Sequence, residues 1–140
     1  MTQEQKDLLL KDLCGRLTHG VKCKILETNE VKILGSIQYD GENTLFDFWE
    51  DDQKIKYGYQ LYLSEFRPYL FHMSSMTVEQ QKEYRKICDL DMTILENRPM
   101  KGEPFPAMFN SQDWLDAHHF DYRGLIPMGL AIDATNKDIY

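Results

Sequence analysis

Between Asp113 and Gly124 the chain reads Asp113-Trp114-Leu115-Asp116-Ala117-His118-His119-Phe120-Asp121-Tyr122-Arg123-Gly124. Imidazoles, carboxylates, a guanidinium, a phenol and an indole crowd one short stretch. On a helix His118 and Asp121 stand at i,i+3, the spacing at which a carboxylate can orient an imidazole as a general base. Arg123 before Gly124 could hold an anionic group, because glycine lets backbone approach a ligand closely. That makes His118, His119 and Asp121 the candidate catalytic residues of a small hydrolase or nuclease, with Arg123 on the transition-state charge. The structural alternative is that one histidine closes the helix C-terminus and Asp121 pairs with Arg123 or a backbone N–H. Adjacent helical residues project about 100° apart, so His118 and His119 cannot grip one metal from a regular helix. No metal site and no cofactor is implied, and no phosphate loop, zinc pattern or nucleophile motif occurs elsewhere. As a binding surface, the same stretch offers Trp114, His118, His119, Asp121, Tyr122 and Arg123.

The elements that position this stretch are legible from periodicity and punctuation. Thr2-x-x-Gln5 is a capping box and opens a helix with Leu9 and Leu13 on one face. Gly15 and Gly20 bracket its end, which places the stop near Cys14. From Val21 the period becomes two, with Val21, Cys23 and Ile25 opposite Lys22 and Lys24. A second strand spans Val31 to Tyr39, its inward set read as Val31, Ile33, Ile37 and Tyr39, with Gly35 at the phase of a bulge. Asp40-Gly41 is a turn signal, and Thr44 to Trp49 is a third strand. A fourth alternates Ile55, Tyr57, Tyr59, Leu61 and Leu63, and a short extended piece follows at Pro68 to Phe71. Leu45 and Trp49 share the phase opposite Phe46 and Phe48. One of these aromatic sets is either a ligand face or covered by a helix from the second half.

Thr77-Val78-Glu79-Gln80 is a second capping box, opening a surface helix to about Cys88 or Leu90 with Val78, Tyr84, Ile87 and Cys88 as its apolar stripe. Arg98 to Pro106, carrying Pro99, Gly102 and Pro104, is an irregular connection. A last helix starts at Asn110 as cap, with Phe109 stapled onto Trp114, and Gly124 ends it or the turn after it. The expected fold is α+β: an N-terminal helix, a bent antiparallel sheet of four to five strands or a small SH3-like barrel, then two helices packed on it. Residues 1–140 read as a single domain, with helix and small barrel in 1–72 and a helical extension in 73–140.

Composition narrows function. The 140 residues carry 16 Lys and Arg against 23 Asp and Glu, a net charge of −7, and the acid excess runs through both halves. A nucleic-acid-binding barrel therefore starts at a disadvantage, for want of a basic footprint. The cysteines Cys14, Cys23 and Cys88 are odd in number and lack C-x-x-C spacing, so they read as reduced, with Cys23 and Cys88 as small buried hydrophobes. All methionines but Met1 lie in the second half, where they suit an irregular core or an adaptable surface. His19 and His72 have no partner recognisable from sequence. The first residues show no signal-peptide pattern, and no run is long and apolar enough to span a membrane, so a cytoplasmic protein is expected.

Four sets of residues carry a resemblance: Leu8 through Leu17; Gly20-Val21-Lys22-Cys23; Arg67-Pro68-Tyr69-Leu70 with Met73 through Thr77; and His119 through Ile126 with Gly129-Leu130-Ala131. Together they resemble a family of short uncharacterised proteins common in Bacteroides-type gut bacteria and their prophages. The resemblance covers nearly the whole chain. It implies a phage or mobile-element setting and no particular activity, cofactor or catalytic residue. Where that family usually continues with an acidic, glycine-containing tail, this chain has Asp133 to Tyr140. The sequence expectation is a phage- or prophage-associated accessory protein that binds an unidentified protein partner without catalysis.

Overall fold

The first helix, α1 (Gln3–Arg16), begins at the expected capping box: Gln5 N–H donates to Thr2 Oγ1 at 3.1 Å, and Thr2 N–H to Gln5 Oε1 at 2.9 Å. The computed structural model describes residues 1–50, 60–96 and 110–140. Leu9, Asp12, Leu13 and Arg16 of α1 are all fully buried, one stripe at i, i+3, i+4 and i+7. The helix thus continues past the expected stop near Cys14. Gly15 marks a close approach, since a Cβ there would lie 2.9 Å from Asp116 Oδ2. The reversal comes at Gly20, whose φ of 68° follows a short 3-10 turn over Leu17–His19.

The strands β1 (Lys22–Ile25), β2 (Val31–Tyr39) and β3 (Thr44–Trp49) form an antiparallel meander. β2 pairs Leu34 with Phe48 and then Ser36 with Asp47, so Gly35 is the unpaired residue of a bulge. The Trp49 indole occupies the space a side chain at 35 would need, with Cε2 only 2.6 Å from an added Cβ. The bulge also corrects the expected inward set. Leu34 is the buried residue before it and Ile37 packs on the core after it, because an extra residue shifts the alternation by one. Val31 and Tyr39 are 40% and 71% exposed. On β3 the core set is Phe46 and Phe48, whose rings meet Phe66 edge-on at 5.0 and 4.9 Å.

β4 (Phe66–His72) joins the other side of β1, antiparallel. Two short strands, β5 (Phe120–Asp121) and β6 (Ile132–Asp133), then pair with β4 in parallel. The result is an open, mixed six-stranded sheet with the order β3-β2-β1-β4-β5 and β6 also on β4. The expected α+β order of an N-terminal helix, a sheet and then helices is met, with β1 to β4 antiparallel as expected and the sheet open and mixed because β5 and β6 join in parallel. The second half is also more than a helical extension, since it supplies both parallel strands. Two-residue strands are too short to display a period, and parallel pairing needs the long crossover that the intervening helices provide.

One further rung comes from a side chain. The β1–β4 register runs Ile25 to Phe66, Lys24 to Arg67 and Cys23 to Pro68. Where Lys22 would meet Tyr69, the Tyr140 hydroxyl stands between them, accepting from Lys22 N–H at 2.9 Å and donating to Tyr69 O at 2.8 Å.

Helix α2 (Val78–Glu96) carries the expected capping box, Gln80 N–H to Thr77 Oγ1 and Thr77 N–H to Gln80 Oε1, and runs beyond Leu90 because no breaker intervenes. Tyr84 and Ile87 are its docked face, while Val78 is 61% exposed. Helix α3 (Asn110–Ala117) packs on α2 and α1. The main core joins Leu9 and Leu13 of α1 to Phe46, Phe66 and Leu70 of the sheet and to Leu125, Leu130 and Ala131 near the end of the chain. Residues 1–72 and 73–140 therefore share it. A satellite cluster holds Met76, Trp114, Leu115 and Phe120. The expected fourth strand through Tyr59, the connection from Arg98 to Pro106, Met100, Met108 and the Phe109 staple lie outside the described residues. Leu61 is described, and it exchanges two backbone hydrogen bonds with Phe46. Among the described residues no helix is long and apolar enough to cross a membrane.

Candidate functional site

The segment from Trp114 to Arg123 is built by two helix ends. Asn110 is the first residue of α3, and the cap comes instead from α2: the Asp91 carboxylate accepts Asn110 N–H at 3.1 Å and Ser111 N–H at 2.8 Å. Burial opposes ionisation of Asp91, but the bonds from Ser111 and Asn110 outweigh it and lower its pKa. A carboxylate at a helix N-terminus is favoured by the helix dipole as well. At the other end α3 stops at Ala117. His119 takes φ 62°, a left-handed conformation, and its N–H donates to Asp116 O at 3.2 Å. That reversal closes the helix well before Gly124 and turns Phe120 to Arg123 back towards α1.

Each candidate residue is committed to its own partners. Trp114 is buried and its Nε1–H donates to Glu83 at 3.0 Å. The His118 ring stacks on that indole at 4.0 Å, and its Nδ1 lies 2.8 Å from Trp114 O, which puts the proton on Nδ1. His119 stacks instead on Tyr140 at 3.8 Å, and its buried Nδ1 has no hydrogen-bond partner among the described residues. Burial first, and then the charge of Arg16, pull the His119 pKa down to about 4. Asp121 binds the loop that follows it, accepting Leu125 N–H at 2.8 Å on Oδ1 and Ile126 N–H at 2.9 Å on Oδ2. The i,i+3 pairing of His118 with Asp121 does not form, because the helix has ended between them. His119 supplies the structural alternative, closing the helix.

What the structure does bring together is a buried ionic cluster between α1 and the α3–β5 segment. Arg16 donates from Nε to Asp12 Oδ2 at 2.7 Å and from Nη2 to Asp12 Oδ1 at 3.0 Å, and Nη2 also reaches Phe120 O at 2.6 Å. Asp116 Oδ1 lies 3.9 Å from Arg16 Nη2 and accepts the Tyr122 hydroxyl at 2.8 Å. Arg123 donates from Nη2 to that hydroxyl at 3.1 Å, and its Nε lies 3.3 Å from Asp12 Oδ1. Both guanidiniums lie beside the Tyr122 ring, at 5.4 Å for Arg16 and 4.8 Å for Arg123. Burial raises the Asp116 pKa against the opposing bond from Tyr122, and burial and the Asp116 bond raise that of Tyr122. Two arginines face two aspartates, so the formal charges balance.

Tyr122 and Arg123 were anticipated as functional, but their cluster partners Asp12, Arg16 and Asp116 were not. The signal for the first two lay in α1, where an aspartate and an arginine four residues apart occupy the stripe of Leu9 and Leu13. The histidines without recognisable partners have them: His19 Nε2 lies 3.2 Å from Asp113 Oδ1, and His72 Nε2 lies 3.5 Å from Asp133 Oδ2. Cys23 is buried, as its strand phase implies, which pushes its thiol pKa up, whereas Cys88 is half-buried and Cys14 exposed. Two cavities of about 300 and 320 Å³ open elsewhere, one between α1 and the β2–β3 turn and the other beside Lys22, Val31 and Ile33. Neither is lined by residues 114–123.

No family model, curated protein or solved structure matches the chain.

Proposed function

We propose that the protein is a cytoplasmic, phage- or prophage-encoded accessory factor that acts as a non-enzymatic protein-interaction module. The observation that carries this reading is how the reactive side chains of residues 114–123 are used. His118, Asp121 and Arg123 each serve the fold through separate partners. A hydrolase would need them to converge on one reacting atom beside a cavity. The resemblance of the quoted runs to a prophage-borne family supports the setting. The net charge of −7 weighs against a nucleic-acid ligand.

The test pairs affinity capture with turnover assays. Tagged protein in lysate of a Bacteroides-type host is expected to retain one stoichiometric partner, identified by mass spectrometry and confirmed with the two purified chains. The purified protein is expected to leave phosphodiesters, nucleotides and activated esters intact. Turnover abolished by both His118→Gln and Asp121→Asn, in variants that remain folded, would overturn the reading.

A further inference from the structure

The face of the sheet turned away from the main core concentrates cations in an acidic chain. In β1 and β4 the residues Cys23, Ile25, Phe66, Pro68 and Leu70 point into the core, so Lys22, Lys24 and Arg67 point to the opposite face. The register sets Lys24 directly across from Arg67 on one side and Val31 on the other. Like charges directly opposite each other in a sheet are destabilising.

Among the described residues their partners are not carboxylates. Arg67 donates from Nη1 to Leu63 O and Phe66 O and from Nε to Gly129 O, and Lys22 Nζ donates to Ile139 O at 2.7 Å. These acceptors are carbonyls. Among the described residues no carboxylate forms an ion pair with Lys22, Lys24 or Arg67, whereas nearby Lys32 pairs with both Glu30 and Glu50. Apolar surface adjoins the cations. Leu26 and Val31 are 43% and 40% exposed, and the cavity of about 320 Å³ extends the surface past Val31 and Ile33, with Glu50 and Asp138 also in its lining.

We propose that this face docks an acidic, apolar segment of a partner protein, with carboxylates over Lys24 and Arg67 and apolar side chains on Leu26, Val31 and Ile33. The proposal rests on the interaction-module reading and names the surface and the partner chemistry for it. Charge complementarity selects the occupant: among the described residues these cations meet no carboxylate, so the partner supplies the anions. A protein segment fits better than nucleic acid because exposed apolar residues flank the cations and the surrounding chain is acidic.

The probe is a fluorescein-labelled peptide alternating glutamate and leucine, read by fluorescence anisotropy beside a lysine–leucine peptide of equal length and labelled oligothymidylate. The glutamate–leucine peptide is expected to bind, more weakly as salt rises, and to lose about tenfold in affinity with Lys24→Glu. Val31→Ser, which keeps the charge, is expected to weaken binding as well. Both positions lie on the surface, and thermal melts of the two variants establish that they fold. Equal binding to the Lys24→Glu variant, or preferential binding of oligothymidylate, overturns the proposal. Sedimentation showing self-association that Lys24→Glu abolishes also overturns it, by making the occupant a second copy. A lysate partner retained undiminished by Lys24→Glu removes this surface and leaves the interaction-module reading standing. Hydrolysis dependent on His118 and Asp121 removes that reading and leaves the peptide measurement unaffected.

Discussion

Arg16 grips Asp12 one turn earlier on the same helix through two bonds, Nε to Oδ2 at 2.7 Å and Nη2 to Oδ1 at 3.0 Å, with both side chains fully buried. Two ions so placed have lost their hydration, and mutual attraction with good geometry must offset that loss. The second Arg16 contact, to Phe120 O, makes the pair a fastener between α1 and the strand that follows α3.

Removing one partner should therefore cost more than removing both. Arg16→Met leaves a buried carboxylate with only Arg123 beside it, and a loss of about 3–5 kcal/mol is expected. The double variant Asp12→Leu, Arg16→Met exchanges the ions for apolar volume and should recover most of that loss. Urea denaturation of the three proteins is the measurement. A double variant no more stable than the single one would show that Phe120 O, and not Asp12, is the partner that matters.

His119 makes folding sensitive to acid. Its pKa in the folded protein, about 4, lies below its ordinary value of 6.5, so between those values the unfolded chain binds a proton that the folded one does not. Stability from this group is fully present above about pH 6.5 and falls as pH drops towards 4. The loss by pH 4 is at most about 3 kcal/mol. His119→Asn keeps a residue that tolerates positive φ and should flatten the stability–pH curve in that window. The His119 Cε1–H resonance should titrate with a midpoint near 4, and a midpoint near 6.5 would contradict its burial against Tyr140.

Gly35 is required by Trp49. A Cβ there would stand 2.6 Å from Cε2 of the indole, so Gly35→Ala must displace the ring or the bulge, at about 1–3 kcal/mol. Combining it with Trp49→Leu frees that space and should restore part of the loss. Denaturation midpoints measure both effects, and a red shift of tryptophan emission in the single variant would report the displaced indole.

Local signals in the sequence were reliable where their cause was local. Thr2 with Gln5 and Thr77 with Gln80 form the capping boxes their spacing announces, and the ends of β2 and β3 fall where alternation and turn residues put them. The inward face of β2 was misread because only the wrong phase looks apolar at its start: Val31 and Ile33 stand against Leu34 flanked by Lys32, and the bulge at Gly35 changes the phase midway. β5 and β6 are too short to carry a pattern. In the candidate site, clustering of reactive types drew attention to residues 114–123, but their roles depended on one backbone event. His119 in the left-handed conformation ends α3 early and sends His118 and Asp121 to separate partners. Such a position favours glycine or asparagine, so a histidine there carries little compositional warning. Asp12 and Arg16 were the most legible residues left unread, as two charges in an apolar helix stripe.

Tyr140 substitutes for a backbone rung, and that makes its hydroxyl measurable residue by residue. The phenol links Lys22 N–H to Tyr69 O while the ring stacks on His119 and lies 5.8 Å from Phe71. Tyr140→Phe keeps the stacking and deletes both bonds, leaving an amide and a carbonyl that must find water or each other. A loss of about 1–3 kcal/mol is expected, as for polar groups left without partners. The effect should also be local: amide exchange should accelerate most at Lys22, while Lys24, the next β1 amide facing β4, stays protected. Exchange that accelerates uniformly along β1 would mean that the aromatic stack, and not the hydroxyl, holds this end of the strand.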